Sequence, residues 1–244
     1  MAVMTAAEEE AREKLAQCGR ALNRAGLYGL GGHVSLRLPE SDLILITPGG
    51  GLDKARLRPS DLTIIDAAGA RVIGPYPPPL ETAIHTAVHA ARPELGSVAH
   101  LHAHWSTVFS VLDVPLDIVL LPAGSLGGPP PTFDLPHLVV TAEQGQQLNA
   151  ALGQAAAVLM RWHGITVVGL TIEEMFNRAI MLEENARLLW EARQIGRPLP
   201  LDLAAANQAS AGPAVDVRTF NYHVNLERAV EDQRHTGRSA EHPK

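Results

Sequence analysis

The 244-residue chain contains one cysteine, Cys18. No intramolecular disulfide can form, and a thiolate-based metal cluster is excluded. Cys18 falls in a helical apolar pattern, where a buried packing role is expected. Aromatic residues are scarce, at 4%, and no basic stripe interleaves them. Acidic residues outnumber basic ones, 26 to 20, for a formal net charge of −6. That balance argues against a general nucleic-acid binder. No apolar run approaches the roughly 18 residues that suit a membrane span. The N-terminus, Met1-Ala2-Val3-Met4-Thr5, has no basic segment leading into an apolar one, so it does not read as a secretory signal. The expectation is a cytoplasmic protein with a small-molecule substrate and with neither nucleic acid nor membrane as partner.

Histidine is what the chain has in plenty, 11 residues, many of them between 85 and 163. His100, His102 and His104 stand at every second position. On a β-strand, side chains two apart share a face, so His100 and His102 would offer two imidazoles from a rigid backbone. Neutral imidazole ligates zinc, iron and similar ions. Taken alone, the pattern reads equally well as polar residues on a half-exposed strand.

The remaining sequence orders the chain. Thr5 and Glu8 form a capping-box pattern for a helix over 6–25. A glycine loop, Gly29 to Gly32, leads into a strand over 34–38, and a second strand covers 43–46. A strand over 63–66, a hairpin turn at 67–70 and a return over 71–73 indicate antiparallel sheet. A proline-rich connector over 75–79 delivers the chain to Leu80-Glu81, where a helix begins and runs to Arg92. Glu81 in its first turn reads plainly as a surface glutamate favoured by the helix dipole. There follow a helix over 105–112, a strand over 117–121, a long loop over 126–131 and a helix from Thr141 to near Gly153. An apolar strand over 155–160 runs into His163-Gly164, where His163 is either a ligand or a structural hydrogen-bonding histidine. A strand over 165–169 precedes the longest helix, 172–195, with Glu183, Glu184, Arg187, Glu191 and Arg193 as its solvated face. A last helix over 217–230 completes a single domain spanning 1–232, and a polar tail over 233–244, expected to be mobile, follows it.

In this order the motifs resemble the class II aldolase/adducin family over about residues 8–197. They are the glycine loop into Val34-Ser35-Leu36-Arg37; Ile46-Thr47-Pro48-Gly49-Gly50; Glu81 ahead of His85; Arg92-Pro93; His100-x-His102; and His163-Gly164 before the helix opening Thr171-Ile172-Glu173-Glu174. The resemblance implies an α/β fold, three layers α/β/α around a largely antiparallel sheet. It also implies a homotetramer with active sites between adjacent subunits. Carried over, His100, His102 and His163 are ligands of a divalent metal, zinc or manganese, with cobalt or iron also suited to the set. Glu81 is the acid/base. Three histidines with an open position make a catalytic rather than a closed site. The ion polarises an oxygen and stabilises the enolate-type anion left when a neighbouring C–C bond breaks.

The departures point to a branch. Sugar-phosphate members carry asparagine where this chain has His33, and two serines before the glutamate, where this chain has Pro79 and Leu80. Neither residue offers a hydroxyl, and Pro79 offers no N–H. The sequence is closer to the branch that decarboxylates hydroxylated aromatic or pyridine dicarboxylates. The expected function is a metal-dependent lyase decarboxylating a non-phosphorylated carboxylate of that kind. The alternatives are an aldolase or retro-aldolase, a non-haem iron oxygenase on the same fold, and a non-catalytic adducin-like module. His33, Thr47, Gly49, Gly50, Lys54 and His104 are the expected substrate contacts. Tyr222 is the candidate for the C-terminal tyrosine that reaches a neighbour's site in the aldolases.

Overall fold

The computed structural model describes residues 5–39, 41–204 and 212–238. Eight strands form one sheet in the order β4-β3-β2-β1-β5-β8-β7-β6. They are β1 (His33–Arg37), β2 (Ile44–Ile46), β3 (Thr63–Ile65), β4 (Arg71–Ile73), β5 (Ser97–Leu101), β6 (Thr132–Phe133), β7 (Ala157–Met160) and β8 (Gly164–Gly169). Every pairing is antiparallel except β6 with β7.

The two-residue period of the strands sorts the core into two layers. Val34, Leu45, Ala99, Leu101, Leu159, Ile165 and Val167 pack in one buried cluster with α1 (Ala6–Arg24), α3 (His104–Ser110), α5 (Ile172–Ile195) and α6 (Pro213–Arg238). Val98, Val158, Met160 and Val168 point the other way, against α2 (Thr82–Ala91) and α4 (Ala142–Leu152). The result is helices, sheet, helices. The same alternation turns His33, Ser35 and His100 toward the α2 side, opposite Val34 and Ala99. α6 is tied to α1 by an ion pair, Arg20 Nε to Glu227 Oε1 at 2.9 Å, with both side chains largely buried.

Three elements differ from the sequence expectation. Residues 117–121 form no strand: the amides of Val119 and Leu120 donate to Asn185 Oδ1 at 2.9 and 3.1 Å. One side-chain carbonyl on α5 there takes the place of a neighbouring strand. Glu183 is not on a solvated face. Its carboxylate accepts the N–H groups of Trp105 (2.7 Å) and Ser106 (2.9 Å) and the Ser106 hydroxyl (2.8 Å), satisfying orphan donors at the start of α3. α6, with 26 residues, exceeds the 24 of α5 and runs past 233 to Arg238, while residues 239–244 lie outside those described. Thr5 caps α1 by accepting Glu8 N–H at 3.2 Å, but Glu8 turns its own side chain to Arg12. Cys18 is fully buried.

Candidate metal and acid–base site

His33 opens β1 and is paired in register directly across from His100 on β5. His102 stands one residue beyond the end of β5, and His163 lies in the turn joining β7 to β8. That turn is tight: His163 N–H donates to the Met160 carbonyl at 3.0 Å, and Trp162 holds φ at 58°, a left-handed value that is strained for a large side chain. Glu81 is the N-cap residue of α2 but makes no capping bond with its side chain. The carboxylate reaches inward instead and is buried, contrary to a surface glutamate favoured by its helix dipole.

These residues converge. Glu81 Oε2 lies 3.7 Å from His33 Nε2, 3.6 Å from His100 Nε2 and 3.7 Å from His163 Nε2. Glu81 Oε1 accepts the Val139 N–H at 2.9 Å, which fixes the carboxylate in place. His100 Nδ1 faces the Ile165 carbonyl at 3.1 Å. A carbonyl only accepts, so Nδ1 carries the hydrogen and Nε2 presents its lone pair. That nitrogen is 3.0 Å from His102 Nε2. Ligand atoms of His100, His102 and His163 all fall within 4.8 Å of one another. His102 is exposed and His163 half-buried, so the group opens on that side. A backbone-anchored imidazole with its other nitrogen bare is the usual form of a metal-ligating histidine. His100 has that form, and three imidazole donors with an open side fit a catalytic divalent ion.

Glycines make room for this. A Cβ on Gly31 would overlap the His102 ring, lying 2.6 Å from its Nδ1, and one on Gly164 would collide with the Leu101 carbonyl and crowd the same ring.

Electrostatics keep the donors ready. Burial, reinforced by the surrounding imidazoles, pushes His100 well below the ordinary histidine pKa, and burial also lowers His33. Both are neutral near pH 7. Burial tends to raise the Glu81 pKa, but the His33 imidazole 3.7 Å away, the Val139 N–H bond and the nearby His163 outweigh it, leaving an ionised carboxylate.

Not every expected contact faces this group. The Thr47 hydroxyl is buried, accepting the Tyr28 O–H at 2.8 Å and the Val34 N–H at 3.0 Å. Gly49 N–H donates to the Pro77 carbonyl at 3.1 Å. Lys54 is buried, donating to the Pro48 carbonyl at 2.9 Å and lying over the Tyr28 ring at 5.1 Å. Gly50 is on the loop surface with φ at 86°. His104 is exposed at the start of α3, its ring against Trp105 rather than in line with His100 and His102. Tyr222 is exposed on α6 beside His223. Sequence reasoning missed the Val139 amide and three buried side chains behind His33, namely His85, Ser35 and His89. The four-residue spacing of His85 and His89, one helical face, was the available signal for two of them.

With this geometry in view, comparison with known proteins is direct. The class II aldolase and adducin N-terminal domain model matches residues 13–190. The chain belongs to that family. It is 34% identical over 194 residues to the 5-methylthioribulose-1-phosphate/5-deoxyribulose-1-phosphate aldolase of Rhodospirillum rubrum, covering 78% of this chain and 86% of that one. It is 30% identical over 220 residues to the 3,4-dihydroxyphthalate decarboxylase of a Terrabacter species, covering 84% and 87%. The L-fuculose 1-phosphate aldolase of Glaciozyma antarctica shares the fold, with a TM-score of 0.82, 23% identity and coverage of 96% and 94%. This class II aldolase-family chain is an enzyme, a metal-dependent lyase. Among the described residues no helix is long and apolar enough to cross a membrane.

Proposed function

We propose that the protein decarboxylates a non-phosphorylated, hydroxylated aromatic or pyridine carboxylate, with His100, His102 and His163 holding a divalent metal ion and Glu81 moving the proton. The observation that carries this reading over sugar-phosphate cleavage is the fate of the donors around the glycine loops. The Gly49 amide donates to the Pro77 carbonyl, Lys54 is buried against the Pro48 carbonyl, the Thr47 hydroxyl is buried between Tyr28 and Val34, and neither Pro79 nor Leu80 offers a hydroxyl. Leu138 and Trp162 are exposed and line one pocket with His163, an apolar wall that suits a planar ring.

A bound divalent ion would supply Lewis-acid polarisation of the substrate's oxygens. The chain supplies the proton path. Glu81, ionised and fixed by Val139, accepts the hydroxyl proton and delivers it to the ring carbon bearing the carboxylate. The C–C bond then breaks, its electron pair returns to the ring and oxygen, and CO2 departs. A solvent proton restores the hydroxyl. Proton transfer by a positioned carboxylate contributes about 10²–10⁴-fold.

The test is anaerobic incubation of metal-loaded enzyme with 3,4-dihydroxyphthalate, reading CO2. Aldehyde release from 5-deoxyribulose 1-phosphate without CO2 from the aromatic acid selects the aldolase reading, which the 34% identity to the Rhodospirillum rubrum enzyme favours. An absolute requirement for O2 selects the oxygenase.

A further inference from the structure

Behind the candidate site runs an unbroken buried chain of side chains. His33 Nδ1 is 2.6 Å from His85 Nε2, His85 Nδ1 is 2.7 Å from Ser35 Oγ, and Ser35 Oγ is 3.0 Å from His89 Nε2. All four residues are at most 4% exposed. Their placement follows from the fold. His33 and Ser35 share one face of β1, and His85 and His89 share one face of α2, four residues apart. The far end is pinned by Arg37, which donates to the His89 carbonyl, and by Ser97, whose hydroxyl donates to the Ser35 carbonyl at 2.9 Å.

Each neutral imidazole has one N–H and one lone pair, and the serine has one O–H. Three arrangements keep every link: the serine passes its hydrogen one way or the other along the chain, or it accepts from both histidines, which leaves its own buried O–H without an acceptor among the described residues. In the first, His89 donates to Ser35, Ser35 to His85 and His85 to His33, so His33 Nε2 carries a hydrogen toward Glu81. In the second, every donor reverses. His33 would then aim a lone pair at the Glu81 carboxylate 3.7 Å away, two acceptors facing each other. His89 Nδ1 would become a buried donor. It would face the Leu95 carbonyl, a neutral acceptor that also takes the Arg37 Nε–H at 3.4 Å. The ionised Glu81 carboxylate at the near end outweighs the neutral carbonyl at the far end and favours the first arrangement.

We propose that His85, Ser35 and His89 are positioning residues that lock His33 as its Nε2–H tautomer, so that His33 directs and holds the Glu81 carboxylate for proton transfer. The assignment recasts His33 from a substrate contact to the partner of the acid/base. It rests on the reading of Glu81 as that acid/base, but its primary test does not need a substrate.

That test is long-range 1H–15N correlation spectroscopy of the zinc-loaded protein labelled with 15N at its histidine rings, with His33 assigned by the signal lost in His33→Asn. The expected result is hydrogen on Nε2 alone in the wild type. In Ser35→Ala, which breaks the chain with little change of volume, the His33 hydrogen is expected on both nitrogens in exchange. His85→Phe is expected to do the same and, with any substrate the enzyme turns over, to lower kcat about tenfold or more with KM and zinc content unchanged. Hydrogen on His33 Nδ1 in the wild type overturns the proposal. So does an unchanged His33 tautomer in Ser35→Ala, which decides the matter if His85→Phe does not fold. The expected tautomers in a protein that releases no CO2 would leave the relay standing and remove the decarboxylase reading.

Discussion

Gly31 and His102 touch so closely that any side chain at position 31 must displace the imidazole: a Cβ there would lie 2.6 Å from His102 Nδ1. The imidazole would have to rotate, and its Nε2 would leave the 3.0 Å approach to His100 Nε2. Gly31→Ala is therefore expected to fold normally but bind metal about 10–100-fold more weakly, the range typical for loss of a ligand's support. Metal titration with circular dichroism as the fold control checks it. Unchanged affinity would show that His102 is not a ligand.

Glu81→Gln keeps a carbonyl oxygen for the Val139 amide, which donates to Oε1 at 2.9 Å. The substitution removes the basic oxygen without removing the anchor. The expected outcome is a kcat lowered by about 10²–10⁴-fold with metal content unchanged. Metal loss in this variant would place Glu81 among the ligands instead.

His100→Ala removes the donor whose Nδ1 is held by the Ile165 carbonyl. Copurified metal is expected to fall to background, and activity with it. Elemental analysis of the purified protein decides this, and retention of a full equivalent would sink every metal-dependent reading.

Acid should destabilise the metal-free protein well before its carboxylates titrate. Burial lowers the pKa of His89 from 6.5 to about 4, with Arg37 adding to it, and lowers His33, His85 and His100 as well. Between those values the unfolded chain binds protons that the folded one refuses. The stability from these groups is complete above about pH 6.5 and is lost as pH falls toward the folded value. His89 alone accounts for about 3 kcal/mol at 1.36 kcal/mol per unit. Urea unfolding at pH 7 and pH 5 measures the slope, and equal midpoints would contradict it.

Glu183→Ala strips three donors at the start of α3 of their acceptor. A loss of about 2–3 kcal/mol is expected, as for hydrogen bonds to a charged group. Thermal unfolding reads it directly, and a shift near zero would mean that water replaces the carboxylate.

The histidines that the structure brings together were legible in the sequence because their spacing is local. His100 and His102 announce a shared face by their spacing, and His163-Gly164 announces a sharp end to a strand. The antiparallel order of β1 to β4 could be read from turns. What sequence could not supply was partnership between distant side chains. Residues 117–121 look like a strand, but Asn185, more than 60 positions later, supplies the acceptor for two of their amides. Glu183 looks solvated until α3 is placed against it. Thr47 and Lys54 carry the right groups for a substrate, yet Tyr28 and Pro48 claim them first. Each miss is a polar group whose partner is chosen by packing rather than by neighbours in the chain.

The pairing of β5 with β8 has a kinetic consequence. Their register runs from Ser97 with Gly169 to Leu101 with Ile165, so His100 lies within the ladder, while His102 and His163 flank the end where Leu101 meets Ile165. These strands sit in the middle of the sheet, and their amides open only when the core does. His100, mounted within the ladder, cannot move by loop motion alone, whereas His102 and His163 can. An ion held by the three would therefore loosen first at His102 and His163 and would keep His100 until the core opens.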